Sequence, residues 1–409
     1  MPKSLIVQKY GGSSVANIDK IKNVANRVAR YHKKGHSLVV VVSALGDTTD
    51  ELLELASGIT ETPSDRELDM LISTGEQVSV ALLAMAMHKL NIDAISFTGA
   101  QVGIMTDGTY TKARIVGISA DKIKRELKRG KVVIVAGFQG INLDQEITTL
   151  GRGGSDITAV ALAKTLDAEM CEIYTDVEGV YTADPRLVKD ARKLSCISYE
   201  EMLELASLGA QVMQARSMEV AKKFSIPLHI RSSFSNKNGT IISKEVKAME
   251  EVLVSGVTMN KGEAKVTICD VPDKPGIAAL IFKEISKKGI NVDMIIQNIS
   301  RTGCTDLSFT VPLSDLFKTK DAADNIQKQV KAKGVIYNRD IAKISIVGVG
   351  MKSHSGVAAR MFDCLAANKI NIDMISTSEI KISCVINKIH AEKAVKAIHK
   401  AFKLGKKSK

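Results

Sequence analysis

The chain has 409 residues, which at about 150 residues per domain predicts two or three domains rather than one small module. Apolar residues make up 45%, charged residues 25% and aromatics 4%, with no Trp; this supplies a core, excludes long disorder and argues against stacking platforms for single-stranded nucleic acid. Of the net charge of +12, residues 387–409 carry eight Lys against one acid, Glu392, so the body is only mildly basic and the tail reads as a solvated helix end.

Short β-branched runs alternate with helical patterns through the first 240 or so residues, which predicts an α/β domain with an open, mainly parallel sheet and helices on both faces. The first strand, 5–9, runs into Lys9-Tyr10-Gly11-Gly12-Ser13-Ser14. Two glycines let backbone approach an anion, helix-start N–H groups attract it, and Lys9 adds a point charge; on its own the segment reads equally as a tight turn. A stripe of Ile18, Ile21, Val24, Ala25 and Val28 then predicts an amphipathic helix. The strand at 38–43 is continuously apolar, as strands buried on both faces are, and delivers Ser43 with Thr48, Thr49 and Asp50 just beyond. A long helix is predicted from about 64 to 90, carrying Ser73-Thr74-Gly75-Glu76. If Glu76 is buried there it needs a cationic partner, and otherwise it reaches solvent from a helix flank.

Strands at 94–97 and 132–137 precede the most informative hexapeptide, Gly151-Arg152-Gly153-Gly154-Ser155-Asp156. Its glycines bare the backbone around one cation able to grip a carboxylate or phosphate bidentately. Asp156 lies where a plain helix cap would also lie. The strand at 172–175 opens onto Thr175-Asp176-Val177-Glu178-Gly179-Val180-Tyr181-Thr182-Ala183-Asp184-Pro185-Arg186, a loop offering acceptors, a ring and a guanidinium. Four such polar ends would converge on one edge of a doubly wound sheet. A last strand is predicted at 228–232.

After about Lys244 the chain repeats itself at an offset of 80: Gly276 matches Gly356, 275–282 matches 355–362, and 290–295 matches 370–375. Each unit reads as strand, Gly-led helix, Asn-containing turn and strand, with helices at 277–287 and 357–368, which predicts two βαββαβ domains. Cys171, Cys196, Cys269, Cys304, Cys364 and Cys384 never fall at C-x-x-C spacing, which predicts free thiols in a reducing compartment. The opening residues lack the apolar region of a signal peptide and no run of 18 apolar residues occurs, so the expectation is a cytoplasmic protein without membrane or nucleic-acid partners. No histidine pair has metal-ligand spacing outside a broken helix, and no metal ligands are assigned.

Taken together, Lys9–Ser14, Ser73–Glu76, Gly151–Asp156, Thr175–Arg186 and Ile375-Ser376-Thr377-Ser378-Glu379-Ile380 resemble, in order and spacing, the monofunctional aspartate kinases with tandem ACT domains. The resemblance covers essentially the full length. Where many relatives read Lys-Phe-Gly-Gly-Thr-Ser, this chain has Tyr10 and Ser13. It implies an amino acid kinase domain over 1–245, a first ACT domain over 246–340 and a second over 341–409, with the two ACT units interleaving so that 252–257 belongs to the second. The implied reaction is ATP plus L-aspartate to ADP and 4-phospho-L-aspartate, with Mg²⁺, the entry to lysine, threonine and methionine synthesis.

By the same resemblance, Lys9 and Asp156 are catalytic, and Ser43, Thr49, Glu76 and Arg152 bind aspartate. Lys9, Tyr10, Gly11, Gly12, Thr175, Asp176, Tyr181, Asp184, Arg186 and Lys222 bind the nucleotide. Asp273, Gly276, Ile277 and Gln297 in one ACT unit, and Asn371, Ile375, Ser378 and Glu379 in the other, would hold lysine, threonine or both as feedback inhibitors. A homo-oligomer through the ACT domains is implied, dimer or tetramer, with a shorter regulatory subunit if translation starts internally near Met249 or Met259. Another amino acid kinase with a glutamate-type acceptor, or a catalytically inactive amino-acid sensor, are the alternatives.

Overall fold

The computed structural model describes residues 4–208, 212–244, 253–298, 303–352 and 354–405; Met249 and residue 252 lie outside them. The chain divides into two compact units, one of residues up to 181 with 193–207 and 211–247, the other of 182–192, 208–210 and 248–409.

In the first unit, β1 (Leu5–Tyr10), β2 (Ser37–Val42), β3 (Ala94–Phe97), β4 (Ile104–Thr106), β5 (Ile115–Ile118) and β6 (Val132–Ala136) are followed by β7 (Gln139–Ile141), β8 (Ile147–Thr149), β9 (Met170–Thr175), β10 (Cys196–Ser198), β11 (Leu228–Ser232) and β12 (Thr240–Ser243). The helices between them are α1 (Gly12–Val15), α2 (Ile18–Lys33), α3 (Thr48–Ile59), α4 (Asp65–Ile72), α5 (Thr74–Lys89), α6 (Asp121–Lys128), α7 (Gly154–Thr165), α8 (Tyr199–Ser207) and α9 (Ala215–Phe224). Eight strands form one sheet in the order β10-β12-β11-β9-β1-β2-β6-β3, parallel except where β11 meets β12.

Leu38 to Val42 are wholly buried, as their unbroken apolar run requires, and each such side chain contributes roughly 1.5–3 kcal/mol of burial. The sheet places β1 between β2 and β9, in register Lys9 to Val41 and Lys9 to Ile173. Chain order reverses at this point, so the carboxyl ends of these three strands open a crevice.

A small second sheet, β5-β4-β7-β8, was not foreseen. Its strands have three or four residues, too short to show a period of two against their neighbours.

The predicted single helix is two. Ser73 ends α4, its carbonyl taken by Gln139 Nε2 at 2.8 Å and its hydroxyl donating to the Met70 carbonyl at 2.9 Å. This diversion of backbone acceptors restarts the helix at Thr74. By length and composition alone the 25-residue stretch Asp65–Lys89 is apolar enough to cross a membrane, although it holds no uninterrupted run of 18 apolar residues, and half of its most apolar window is buried. The stretch packs against α2, β3 and β6 and buries Asp69 and Glu76.

The second unit contains β13 (Gly256–Asn260), β14 (Glu263–Pro272), β15 (Ile295–Gln297), β16 (Cys304–Pro312), β17 (Gly334–Asn338), β18 (Ile341–Val347), β19 (Met374–Thr377) and β20 (Lys381–Asn387), with α10 (Ile277–Lys287), α11 (Leu316–Val330), α12 (Val357–Ala367) and α13 (Ala391–Ala401). Two four-stranded sheets result, β15-β16-β14-β17 and β19-β20-β18-β13.

Sheet membership does not follow chain order. The second repeat has no strand after α13 among the described residues, and β13, which precedes the first repeat, fills the place beside β18 that β17 fills beside β14. Both pairings are antiparallel, so an unpaired edge is closed in the same way twice.

The offset of 80 is kept in space. Gly276 and Gly356 cap α10 and α12 with φ of +93° and +90°, a left-handed conformation that glycine adopts without strain. Met294 and Met374, equivalent in the repeat, share one buried cluster with Ile341 and Val385.

Candidate active site

β1 ends in a side chain that cannot be left unpaired. Lys9 Nζ lies 2.5 Å from Asp156 Oδ1, with both side chains largely buried. Asp156 sits in the first turn of α7, but the cap position is Gly153, in the left-handed region, so the carboxylate is not a cap. It crosses instead to the strand end.

Glu76 lies in the first turn of α5 and is 3% exposed. Its Oε1 accepts from the Ala44 amide at 3.1 Å, while Oε2 is buried without a partner. Gly75 permits this approach, because a Cβ there would come within 2.8 Å of Ala44 Cβ. Desolvation raises the Glu76 pKa from 4.5 to about 7 against the opposing pull of two backbone amides. Among the described residues, no side chain supplies the cation that a buried Glu requires.

Arg152 is exposed between Gly151 and Gly153, both with positive φ, and no hydrogen bond or ion pair occupies its guanidinium among the described residues. Lys9, Gly11, Gly12, Ser43, Thr49, Glu76, Arg152, Asp156 and Thr175 all line one cleft of ≈ 530 Å³. Gly12 is held there by close approach, since a Cβ would meet the Gly46 carbonyl at 2.9 Å.

Other expected residues lie elsewhere. The Tyr10 side chain is wholly buried, stacked on Tyr174 at 4.6 Å with 7° between the rings, and donates to Gln8 at 3.2 Å. Its ring is core, not a nucleotide contact, because side chains alternate along β1 and Tyr10 faces the layer opposite Lys9. That layer holds a buried network in which Glu172 accepts from Gln8, Tyr31, Tyr174 and Arg231.

Asp176 accepts from the Thr175 hydroxyl at 2.9 Å but does not line the cleft. Tyr181 bridges to Lys193 by backbone, and Lys222 pairs with Glu200 at 3.1 Å. Asp184 and Arg186 belong to the second unit and pair with each other at 2.8 Å. In the ACT region Asp273, Gly276, Gln297, Asn371, Ile375, Ser378 and Glu379 are exposed and Ile277 is half-buried. Gln297 and Ile375 lie on β15 and β19, the edge strands of their sheets.

Sequence reasoning missed Thr111, Phe138, Thr149 and Gln214, which also line the cleft. Thr111 carries no signal, being an ordinary residue at φ +63°. Gln214 is visible only through Gly153, where a Cβ would fall 2.0 Å from Gln214 Cγ.

Residues 4–232 match the amino acid kinase family, and residues 265–330 and 344–402 each match the ACT domain. The aspartate kinase of Pseudomonas putida is 51% identical over 402 residues, 98% of both chains. This chain belongs to the aspartate kinases, within the amino acid kinase family.

Among other aspartate kinases, the aspartokinase of Corynebacterium glutamicum is 48% identical over 407 residues, 98% of this chain and 97% of that one. Aspartokinase III of E. coli, solved with aspartate and ADP, superposes with a TM-score of 0.81 at 24% identity, over 97% of this chain and 99% of that one. The fold is thus the amino acid kinase α/β fold with C-terminal ACT domains, and the chain is a kinase.

Proposed function

We propose that the chain transfers the γ-phosphoryl group of ATP to the β-carboxylate of L-aspartate, giving ADP and 4-phospho-L-aspartate, the first step toward lysine, threonine and methionine. One observation carries this reading: a buried carboxylate, Glu76, whose Oε2 has no partner, and a guanidinium, Arg152, that no hydrogen bond or ion pair occupies among the described residues, line the same cleft as the Lys9–Asp156 pair. An α-amino acid offers the complementary ammonium and carboxylate, and its arrival relieves the desolvated Glu76 charge. Ser43 and Thr49 add hydroxyls to the same substrate.

Phosphoryl transfer requires positioning and charge neutralisation rather than a covalent enzyme intermediate. The attacking β-carboxylate is already ionised at neutral pH, so no general base is needed. One of its oxygens forms the new P–O bond while the bond from the γ-phosphorus to the bridging oxygen breaks and ADP leaves with those electrons. Lys9 neutralises charge on the transferring group, the Gly11 and Gly12 backbone receives it, and Asp156 fixes the Lys9 ammonium.

Thr175, Asp176 and Tyr181 hold the nucleotide; Lys222 would have to leave Glu200 to join them. Mg²⁺ would arrive on the nucleotide phosphates and neutralise their charge there.

The ACT repeat is proposed to bind lysine, threonine or both through the residues named above, and to join copies of the chain into an oligomer in the cytoplasm. An effector acts only by binding one state better than another. ADP release with Mg-ATP and L-aspartate, repeated with lysine, with threonine and with both, tests reaction and regulation together. Turnover with glutamate in place of aspartate would overturn the acceptor, and indifference to both amino acids would overturn the regulatory reading.

A further inference from the structure

Asp69 has no part in the chemistry above, yet it is wholly buried in α4 and makes no ion pair among the described residues. A carboxylate in that position must be satisfied by hydrogen bonds. Its Oδ2 accepts from the backbone amides of Thr111 and Thr149, each at 2.9 Å, and its Oδ1 accepts from the Thr149 hydroxyl at 2.6 Å. Both threonines line the cleft, and the Thr111 amide is held while its backbone is left-handed, a conformation that is strained for a residue with a Cβ.

From the far side, Arg216 in α9 donates Nη1 to the Leu150 carbonyl at 2.7 Å and Nη2 to the Ala113 carbonyl. The Ala113 amide in turn donates to the Thr149 carbonyl at 2.9 Å. Residues 111–113 and 149–150 are therefore bonded to each other and clamped between a carboxylate and a guanidinium. The chain leaves this clamp as Gly151-Arg152-Gly153, whose flanking glycines give it no stiffness of its own.

We propose that Asp69 is a positioning residue for aspartate: it fixes the Thr149–Gly151 stem that presents Arg152 to the substrate α-carboxylate, with Arg216 bracing the same stem from α9. The proposal rests on the reading of Arg152 given above. A bidentate guanidinium contact has a narrow geometry, and an error near 1 Å costs on the order of a hundredfold.

The test uses the full chain with Asp69→Ala, Asp69→Asn, Arg152→Ala and the double variant Asp69→Ala/Arg152→Ala, measuring KM for aspartate and for ATP. Asp69→Ala should raise KM for aspartate about tenfold and leave KM for ATP within about twofold. Asp69→Asn keeps an oxygen for the two amides and should recover most of the loss. Because Asp69 acts through Arg152, the double variant should be no worse than Arg152→Ala alone. Multiplying effects, or parallel rises in both KM values, would reduce Asp69 to a structural role.

If Asp69→Ala does not fold, Thr149→Val removes only the hydroxyl bond and should raise KM for aspartate about threefold; an unchanged value overturns the proposal. Arg152→Ala with unchanged KM for aspartate overturns the reading of Arg152 itself. A rise with Arg152→Ala but none with Asp69→Ala overturns the positioning role alone.

Discussion

Lys9 and Asp156 come from segments 147 positions apart in the chain and meet at 2.5 Å, the strand-end ammonium against a carboxylate in the first turn of α7. Neither charge is solvated enough to stand alone. Lys9→Ala should lower kcat by roughly a hundredfold or more with a smaller change in KM for aspartate, because its contact strengthens as charge develops on the phosphoryl group. Steady-state kinetics with each substrate varied checks this. A loss confined to KM would remove Lys9 from the transfer step.

Glu76 sets a pH dependence. Its carboxyl is raised by burial from 4.5 to about 7 in the free protein, so near pH 7 about half of the molecules hold it neutral and unable to receive an ammonium. A plot of kcat/KM for aspartate against pH should therefore rise with a midpoint near 7. A raised carboxyl also means that its contribution to stability is present below its unfolded pKa and is lost as pH rises through 7. Glu76→Gln should abolish the rising limb and weaken aspartate binding. A limb retained in that variant would assign the titration elsewhere.

Tyr10 is core, so Tyr10→Phe removes a buried hydrogen bond to Gln8 and nothing from the nucleotide site. The variant should lose about 1 kcal/mol of stability with KM for ATP unchanged. Denaturant melts beside ATP kinetics give the answer, and a large rise in KM for ATP would contradict the observed burial.

Lys343 bridges the two repeats of the second unit. It is 2% exposed, 2.5 Å from Glu263 and bonded also to Asp293, and position 263 is its equivalent in the first repeat. Burial by itself would lower its pKa, but the two carboxylates overcome this and raise it. Lys343→Ala leaves Glu263 buried without its cation and should destabilise that unit by roughly 3–5 kcal/mol. Lys343→Met with Glu263→Gln should recover much of that loss. Thermal melts of the single and paired variants separate the two outcomes.

Much of the site was legible along the chain because its parts are local. A glycine-flanked Arg152, a Gly75-Glu76 pair opening a helix and a Lys9 at a strand end are chemistries that neighbours in sequence announce. The 80-residue repeat was legible for the same reason, as identical local patterns recur. Tyr10 misled because a motif read as a string does not say which face of the strand each side chain takes, and one residue past Lys9 the pleat turns inward. The short strands around Thr149 and the break at Ser73 were invisible because both depend on bonds to distant segments.

Sequence by itself determined the alternation of the main parallel strands with helices, the duplicated C-terminal unit and the polar, glycine-rich segments at the strand ends, since hydrophobic period and glycine placement are carried by adjacent residues. Tertiary structure alone decided that Asp156 answers Lys9 rather than capping a helix, that Glu76 is left without a cation, that β13 completes a sheet begun far downstream, and that Asp69 holds the stem of Arg152. Each of these is a pairing of charges or backbone groups whose partners are distant in the chain, and only the folded packing brings them within reach.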